Sequence, residues 1–90
     1  MAMVAKKVIY SGNVQGVGFR YTAQHLAGSF AVAGYVHNLA SGEVELVIEG
    51  AQDQVDAFLT RIGQAMGRYI QSTSVQEEAE QGLQGFRIRH

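Results

Sequence analysis

Apolar and polar residues alternate most cleanly over residues 43–49. Val44, Leu46 and Ile48 point one way, while Glu43, Glu45 and Glu49 point the other, with Val47 the one apolar exception. Period-2 alternation of this kind predicts a half-buried strand in an antiparallel hairpin, with its acidic side in water. Ala40-Ser41-Gly42 precedes it as a short turn, Gly50 ends it, and a second strand over about Ala33 to Leu39 supplies the other arm. A further strand over about Lys6 to Gly12 carries Val8, Ile9 and Tyr10.

The period changes at Phe19. Phe19, Ala23, Leu26 and Phe30 fall at i, i+4, i+7 and i+11, which makes one face of a helix, and Gly28 and Ser29 mark its end. A second helix runs over about Gln52 to Met66, with Val55, Phe58, Leu59, Ile62 and Met66 on its apolar stripe. Asp53 lies in its first turn, where the helix dipole favours a negative charge. Ile70 to Glu77 reads as a strand interrupted by polar residues, and Phe86 to His90 as the last strand. Two helices with one apolar stripe each must cover one face of a sheet. The order βαββαβ predicts an α+β, ferredoxin-like sandwich: an antiparallel sheet of four to five strands with both helices on one face.

Length and composition narrow the picture. Ninety residues suit a single domain over 1–90. An apolar fraction of 47% is ordinary for a globular chain, and 17% charged residues exclude a highly charged disordered tail. The sequence contains no cysteine, so disulfides, thiolate metal sites and cysteine nucleophiles are excluded. Met1 to Lys7 has no apolar stretch of the secretory kind, and no apolar run is long enough to span a bilayer, so a cytoplasmic protein is expected. A formal net charge of −1 offers no global attraction to nucleic acid or anionic lipid. Any anion site must therefore be built locally.

One segment has the means to build it. Gly12-Asn13-Val14-Gln15-Gly16-Val17-Gly18-Phe19-Arg20 joins a strand to a helix N-terminus. Such a junction offers unpaired backbone N–H groups and the positive end of the helix dipole. Gly16 and Gly18 let the backbone curl so that successive N–H groups converge on one point, and Arg20 adds a charged planar fork. The loop has neither the third glycine of a dinucleotide fingerprint nor the Gly-Lys-Ser/Thr of a Walker loop. By itself it equally describes a tight turn followed by a solvated arginine. Asn38, near a strand end, can hold a water without taking its proton, or can simply be a turn residue.

The other chemical candidates are weaker. His25, His37 and His90 have no metal-ligand spacing, and alternation turns His37 to the sheet face opposite Asn38. Ser41 has no activating base nearby in sequence, and Glu43, Glu45 and Glu49 read as a solvated strand face. Tyr10, Tyr21, Tyr35 and Tyr69 are not interleaved with basic residues as a nucleic-acid stacking platform requires.

Taken together, two segments resemble a known family. Val14-Gln15-Gly16-Val17-Gly18-Phe19-Arg20 is similar to the phosphate-loop signature of the acylphosphatases. Gly34-Tyr35-Val36-His37-Asn38, followed by Gly42, Val44 and Gly50, is similar to their second signature. Phe58 and Gly85-Phe86-Arg87-Ile88 also fit, so the resemblance spans the chain. Ser29 to Val32 is less typical, and Gly67 to Tyr69 lacks the usual proline-containing turn. The resemblance implies hydrolysis of acyl phosphates to a carboxylate and inorganic phosphate, without metal or cofactor. It implies that the backbone of Gln15, Gly16, Val17, Gly18, Phe19 and Arg20, with the Arg20 side chain, holds the phosphoryl group, and that Asn38 positions the attacking water. The expected partners are a small acyl phosphate and, as product and inhibitor, inorganic phosphate; a monomer without nucleic-acid or membrane partners is expected. A carbamoyl-phosphate-handling module, known as part of a much longer chain, and a non-catalytic anion- or RNA-binding domain of the same fold remain as alternatives.

Overall fold

A computed structural model describes residues 2–90. β1 (Met3–Gly12) leads through the glycine-rich loop into α1 (Phe19–Ala27). β2 (Val32–Asn38) and β3 (Val44–Ala51) form the hairpin, α2 (Gln52–Met66) follows, and a short 3₁₀ turn (Gly67–Tyr69) leads to β4 (Ile70–Glu77) and finally β5 (Phe86–Arg89). The five strands make one sheet in the order β4-β1-β3-β2-β5. This is the expected ferredoxin-like arrangement, with one refinement. β5 pairs with β2 in parallel, Gly34 opposite Phe86 and His37 opposite Arg89, so the sheet is mixed. The cause is the long connection after β4, which carries the chain from one sheet edge to the other and brings β5 in alongside β2.

The core lies between one sheet face and the helices. Val8, Tyr10, Val36, Val44, Leu46 and Ile48 from the sheet meet Phe19, Ala23 and Ala27 of α1 and Val55, Phe58, Ile62 and Met66 of α2. These are the alternating and the helical apolar positions, brought together because each set can leave water only against the other. Leu26, Phe30 and Leu59 sit at the margin, partly buried against the same cluster. Phe58 is the hub, with its ring edge-on to Phe30 at 5.9 Å and to Phe86 at 5.8 Å.

The strand face away from the helices departs from expectation at Glu45 and, most of all, at Glu49. Glu45 is partly buried and meets His37 at 2.7 Å, but Glu49 is only 7% exposed. Its carboxylate accepts hydrogen bonds from the backbone N–H groups of Gln81 and Leu83, the latter at 3.0 Å. The segment joining β4 to β5 folds over this end of the sheet and removes Glu49 from water; two charge-assisted bonds compensate the lost hydration. β3 also continues through Gly50 to Ala51 instead of stopping at the glycine, because Met3 and Val4 of β1 extend the pairing there.

Candidate active site

β1 ends in an irregularity. Its register against β4 shifts between Ser11 and Gly12, and the Asn13 N–H donates to the Tyr69 carbonyl at 2.9 Å. The loop that follows is pinned at both ends by core residues: Val14 is fully buried, and Phe19 packs its ring 4.9 Å from that of Tyr10. Between these anchors Gly16 (φ 78°) and Gly18 (φ 79°) take left-handed conformations. A Cβ added at either would meet no atom within 4 Å. The glycines are therefore required by backbone conformation, and the backbone they shape faces open space.

Gly18 is also the N-cap of α1. Among the described residues no side chain caps this helix end, and its first turn holds no acidic residue. The first intrahelical bond is Thr22 N–H to the Gly18 carbonyl, at 2.9 Å. The N–H groups that precede it have no acceptor within the helix, and they form the positive pole of its dipole. Arg20 stands on that first turn, half-buried, and none of the ion pairs among the described residues uses it. Its Nη1 donates over 3.3 Å to His90 Nδ1 and over 3.5 Å to the Arg89 carbonyl. Neither contact is with a carboxylate, so among the described residues the guanidinium has no ion-pair partner.

Across from the loop, Asn38 closes β2, in register with Val44. Val14, Gly16, Gly18, Phe19, Arg20, Tyr21 and Asn38 line one small hollow of about 150 Å³. Of the residues the sequence singles out, Gly16, Gly18, Phe19, Arg20 and Asn38 thus come together. Val17 turns toward the core and does not line the hollow. Nor does the Gln15 side chain, which reaches the hairpin: its Nε2 donates to the Leu39 carbonyl at 2.8 Å and the Glu43 carbonyl at 2.9 Å. His37 faces the opposite side of the sheet, paired with Glu45, as alternation requires.

Sequence reasoning missed Tyr21, which lines the hollow while 64% exposed, and His90, which touches Arg20 from the far end of the chain. Tyr21 is legible in hindsight as a bulky residue off the apolar stripe, beside Arg20. His90 gives no local signal, because only the pairing of β5 brings it near.

A larger hollow of about 490 Å³ lies at the other end of the sheet, where its charged lining is Glu49 and Glu80. Among the described residues its lining has two carboxylates and no cation, which makes it unsuited to an anion, whatever its size. The small hollow is the reverse: among the described residues it is lined by the Gly16 and Gly18 backbone at a helix N-terminus, by the Arg20 guanidinium and by a carboxamide. It matches a tetrahedral anion in both size and sign. Among the described residues no three histidine or acidic side chains converge as a metal-binding group.

The chain matches the acylphosphatase family model over residues 6–88. It is 40% identical over 84 residues to an acylphosphatase of Methanospirillum hungatei, covering 91% of this chain and 92% of that protein. Its fold superposes on the crystal structure of acylphosphatase from Bacillus subtilis with a TM-score of 0.87 and 29% identity, over 99% of this chain and 100% of the other. It also superposes, with a TM-score of 0.85 and 25% identity, on part of full-length HypF in its phosphate- and nucleotide-bound form, where it covers 99% of this chain but 12% of that one. The loop over residues 14–20 and the Asn38 strand end fall within the matched span, and by family model, sequence and fold this chain belongs to the acylphosphatase family.

Proposed function

We propose that this chain acts as one domain to hydrolyse the carboxyl–phosphate bond of acyl phosphates, with the phosphoryl group held by the 15–20 backbone and Arg20 and the attacking water held by Asn38. The observation that carries the reading is the single hollow shared by the glycine loop, the α1 N-terminus, Arg20 and Asn38. The chemistry asks for little more. An acyl phosphate expels a carboxylate whose conjugate acid has a pKa of about 4, so the leaving group departs without a general acid. Phosphoryl transfer through a loose transition state depends on positioning and on stabilising charge at the equatorial oxygens. Amide donors and a guanidinium meet those oxygens, the Asn38 carboxamide orients a water for in-line attack, and a phosphate oxygen of the substrate takes the water's proton. Among the described residues the charged and carboxamide groups lining the hollow are taken up by the phosphoryl group and the water, which leaves the acyl part of the substrate loosely specified.

The same reading makes the protein a cytoplasmic monomer that acts on a small molecule without metal, cofactor, nucleic-acid or membrane partner. The net charge of −1, which gives no global attraction to nucleic acid or anionic lipid, supports the last two of these. The test is phosphate release from benzoyl phosphate in the presence of a chelator, with inorganic phosphate as inhibitor. Turnover and competitive inhibition are expected. No release, release that needs added Mg²⁺ or Zn²⁺, or noncompetitive inhibition would refute the reading. A strong preference for carbamoyl over benzoyl phosphate would instead favour a carbamoyl-phosphate-handling role.

A further inference from the structure

The turn that follows Asn38 has little to hold it. Ala40, Ser41 and Gly42 are exposed. The turn closes on itself through Leu39 N–H to the Glu43 carbonyl at 2.8 Å and Gly42 N–H to the Leu39 carbonyl at 3.1 Å. These bonds, with those between Ser41 and Glu43, fix the shape of the hairpin end; the sheet anchors it as far as Val44, opposite Tyr10 of β1, and beyond that pair its distance from the phosphate loop is left to other contacts. That distance matters, because Asn38 stands on one side of the hollow and the amide arc on the other.

Among the described residues one side chain hydrogen-bonds across the gap. The Gln15 carboxamide gives one proton to the Leu39 carbonyl and the other to the Glu43 carbonyl. Leu39 adjoins Asn38, and Glu43 adjoins Val44, which is opposite Asn38 in the register. Both strands of the hairpin are therefore gripped one step beyond the Asn38–Val44 pair. Two carbonyl acceptors also fix which way the amide is turned, since its oxygen there would face two lone-pair groups. At its other end Gln15 lies between Val14, buried in the core, and Gly16, which lines the hollow. Besides the sheet pairing of Tyr10 with Val44, a path from the loop to the Asn38 carboxamide thus runs through Gly16, the Gln15 side chain and the Leu39 backbone.

We infer that the Gln15 side chain is a positioning residue: it sets the separation between the phosphate-holding amides and Asn38, and so the line along which the water meets phosphorus. This rests on the reading of Asn38 as the holder of the water. The side chain touches neither phosphate nor water. Its loss lets the hairpin end drift relative to the loop while the amide arc and Arg20 keep their own supports. In-line displacement depends steeply on such alignment, whereas ground-state binding of phosphate does not.

The experiment is a cycle of Gln15→Met, Asn38→Ala and the double variant, with benzoyl phosphate as substrate and inorganic phosphate as inhibitor. Methionine keeps the length of the side chain and removes both donors. Gln15→Met should lower kcat by about 10-fold. The phosphate inhibition constant should stay within about 2-fold, since the groups that bind it are untouched. In the Asn38→Ala background the same change should cost less than about 2-fold, because the group it positions is gone. An equal loss in both backgrounds would make Gln15 a general structural support and overturn the inference, as would an unchanged kcat in Gln15→Met. A normal kcat in Asn38→Ala alone would overturn the reading of Asn38 itself, whatever Gln15 does. Gln15→Lys returns donors within reach of the same carbonyls. It should turn over faster than Gln15→Met; equal turnover of the two would count against the hydrogen bonds as the cause.

Discussion

Arg20 offers the sharpest test of the site, because among the described residues lining the hollow its side chain carries the only full positive charge. Its removal should leave the fold intact: Arg20 is absent from the core cluster, and the buried residues of α1 are Phe19, Ala23 and Ala27. The size of the functional loss follows from where the charge sits. A guanidinium about 4 Å from a phosphoryl oxygen, at a half-buried position with an effective dielectric near 20, contributes about 4 kcal/mol. Arg20→Ala should therefore lower kcat/KM by about 10³-fold. Arg20→Lys keeps the charge but gives up the second of two parallel hydrogen bonds, and charge-assisted bonds contribute about 1.5–3 kcal/mol each. A loss of at least about 10-fold remains. Lysine also lacks the Nη1 group that bridges to Arg89 and His90, so its ammonium is less firmly placed over the loop. Both variants should weaken inhibition by inorganic phosphate, because the arginine touches the ligand before as well as during reaction. The assay is kcat, KM and phosphate inhibition for the three proteins, with circular dichroism as the folding control. A folded Arg20→Ala protein with near-normal kcat/KM would remove the active site from this loop, and full activity in Arg20→Lys would show that charge alone, without the planar fork, suffices.

Three further outcomes follow from the structure. Gly18→Ala must hold an alanine at φ 79° and ψ 20°, at about 1–2 kcal/mol, partly offset by a stiffer unfolded chain, with no steric clash to add. Urea unfolding should show a loss of about 1 kcal/mol while kcat/KM falls further than that because the amides are re-aimed; normal kcat/KM would mean the loop does not hold phosphate. Glu49→Gln turns one of two acceptor oxygens into a donor facing an N–H group, so about 1.5–3 kcal/mol of stability should go and the Gln81 and Leu83 amides should exchange faster; unchanged exchange would show that the carboxylate does not hold the β4–β5 connection. Burial pushes the Tyr10 phenol above its ordinary value of 10.0. Above that pH the unfolded chain has lost a proton the folded one retains, so Tyr10 makes stability fall as pH rises, and Tyr10→Phe should flatten the decline seen in urea titrations from about pH 9 to about pH 11.

The elements were legible because their periods are clean. Val44, Leu46 and Ile48 alternate, Val55, Phe58, Ile62 and Met66 repeat helically, and both sets are buried where those periods place them. What the periods could not carry was the environment beyond one element. Glu49 repeats like a solvated residue, yet a segment more than thirty positions later folds over it. The parallel pairing of β5 likewise depends on the route of that segment, which leaves no trace in the local pattern of Phe86 to Arg89. At the site the contrast is similar. Gly16, Gly18 and Arg20 announce a loop-to-helix anion pocket through residue type alone. The reach of Gln15 to Leu39 and Glu43, and of Arg20 to His90, is set by tertiary pairing between distant segments.

The sheet order also bears on how the chain comes to fold at all. β1 and β2 are the first two strands to be made, but they do not touch; each pairs with β3, which lies between them. A growing chain that has emerged only as far as Asn38 therefore has a helix and two strands with no neighbour to pair with. Val44–Ala51 is the piece that turns these fragments into a sheet, after which β4 and β5 can zip onto the two outer edges. Because β1 must wait for partners at least thirty-odd residues further along, closing those loops comes before any pairing can reward it, and assembly should be slower than for a chain built of local hairpins. During synthesis the exposed edges of the first strands are at risk until the central strand arrives, and substitutions in β3 should slow refolding more than substitutions of equal cost in the late-joining edge strands.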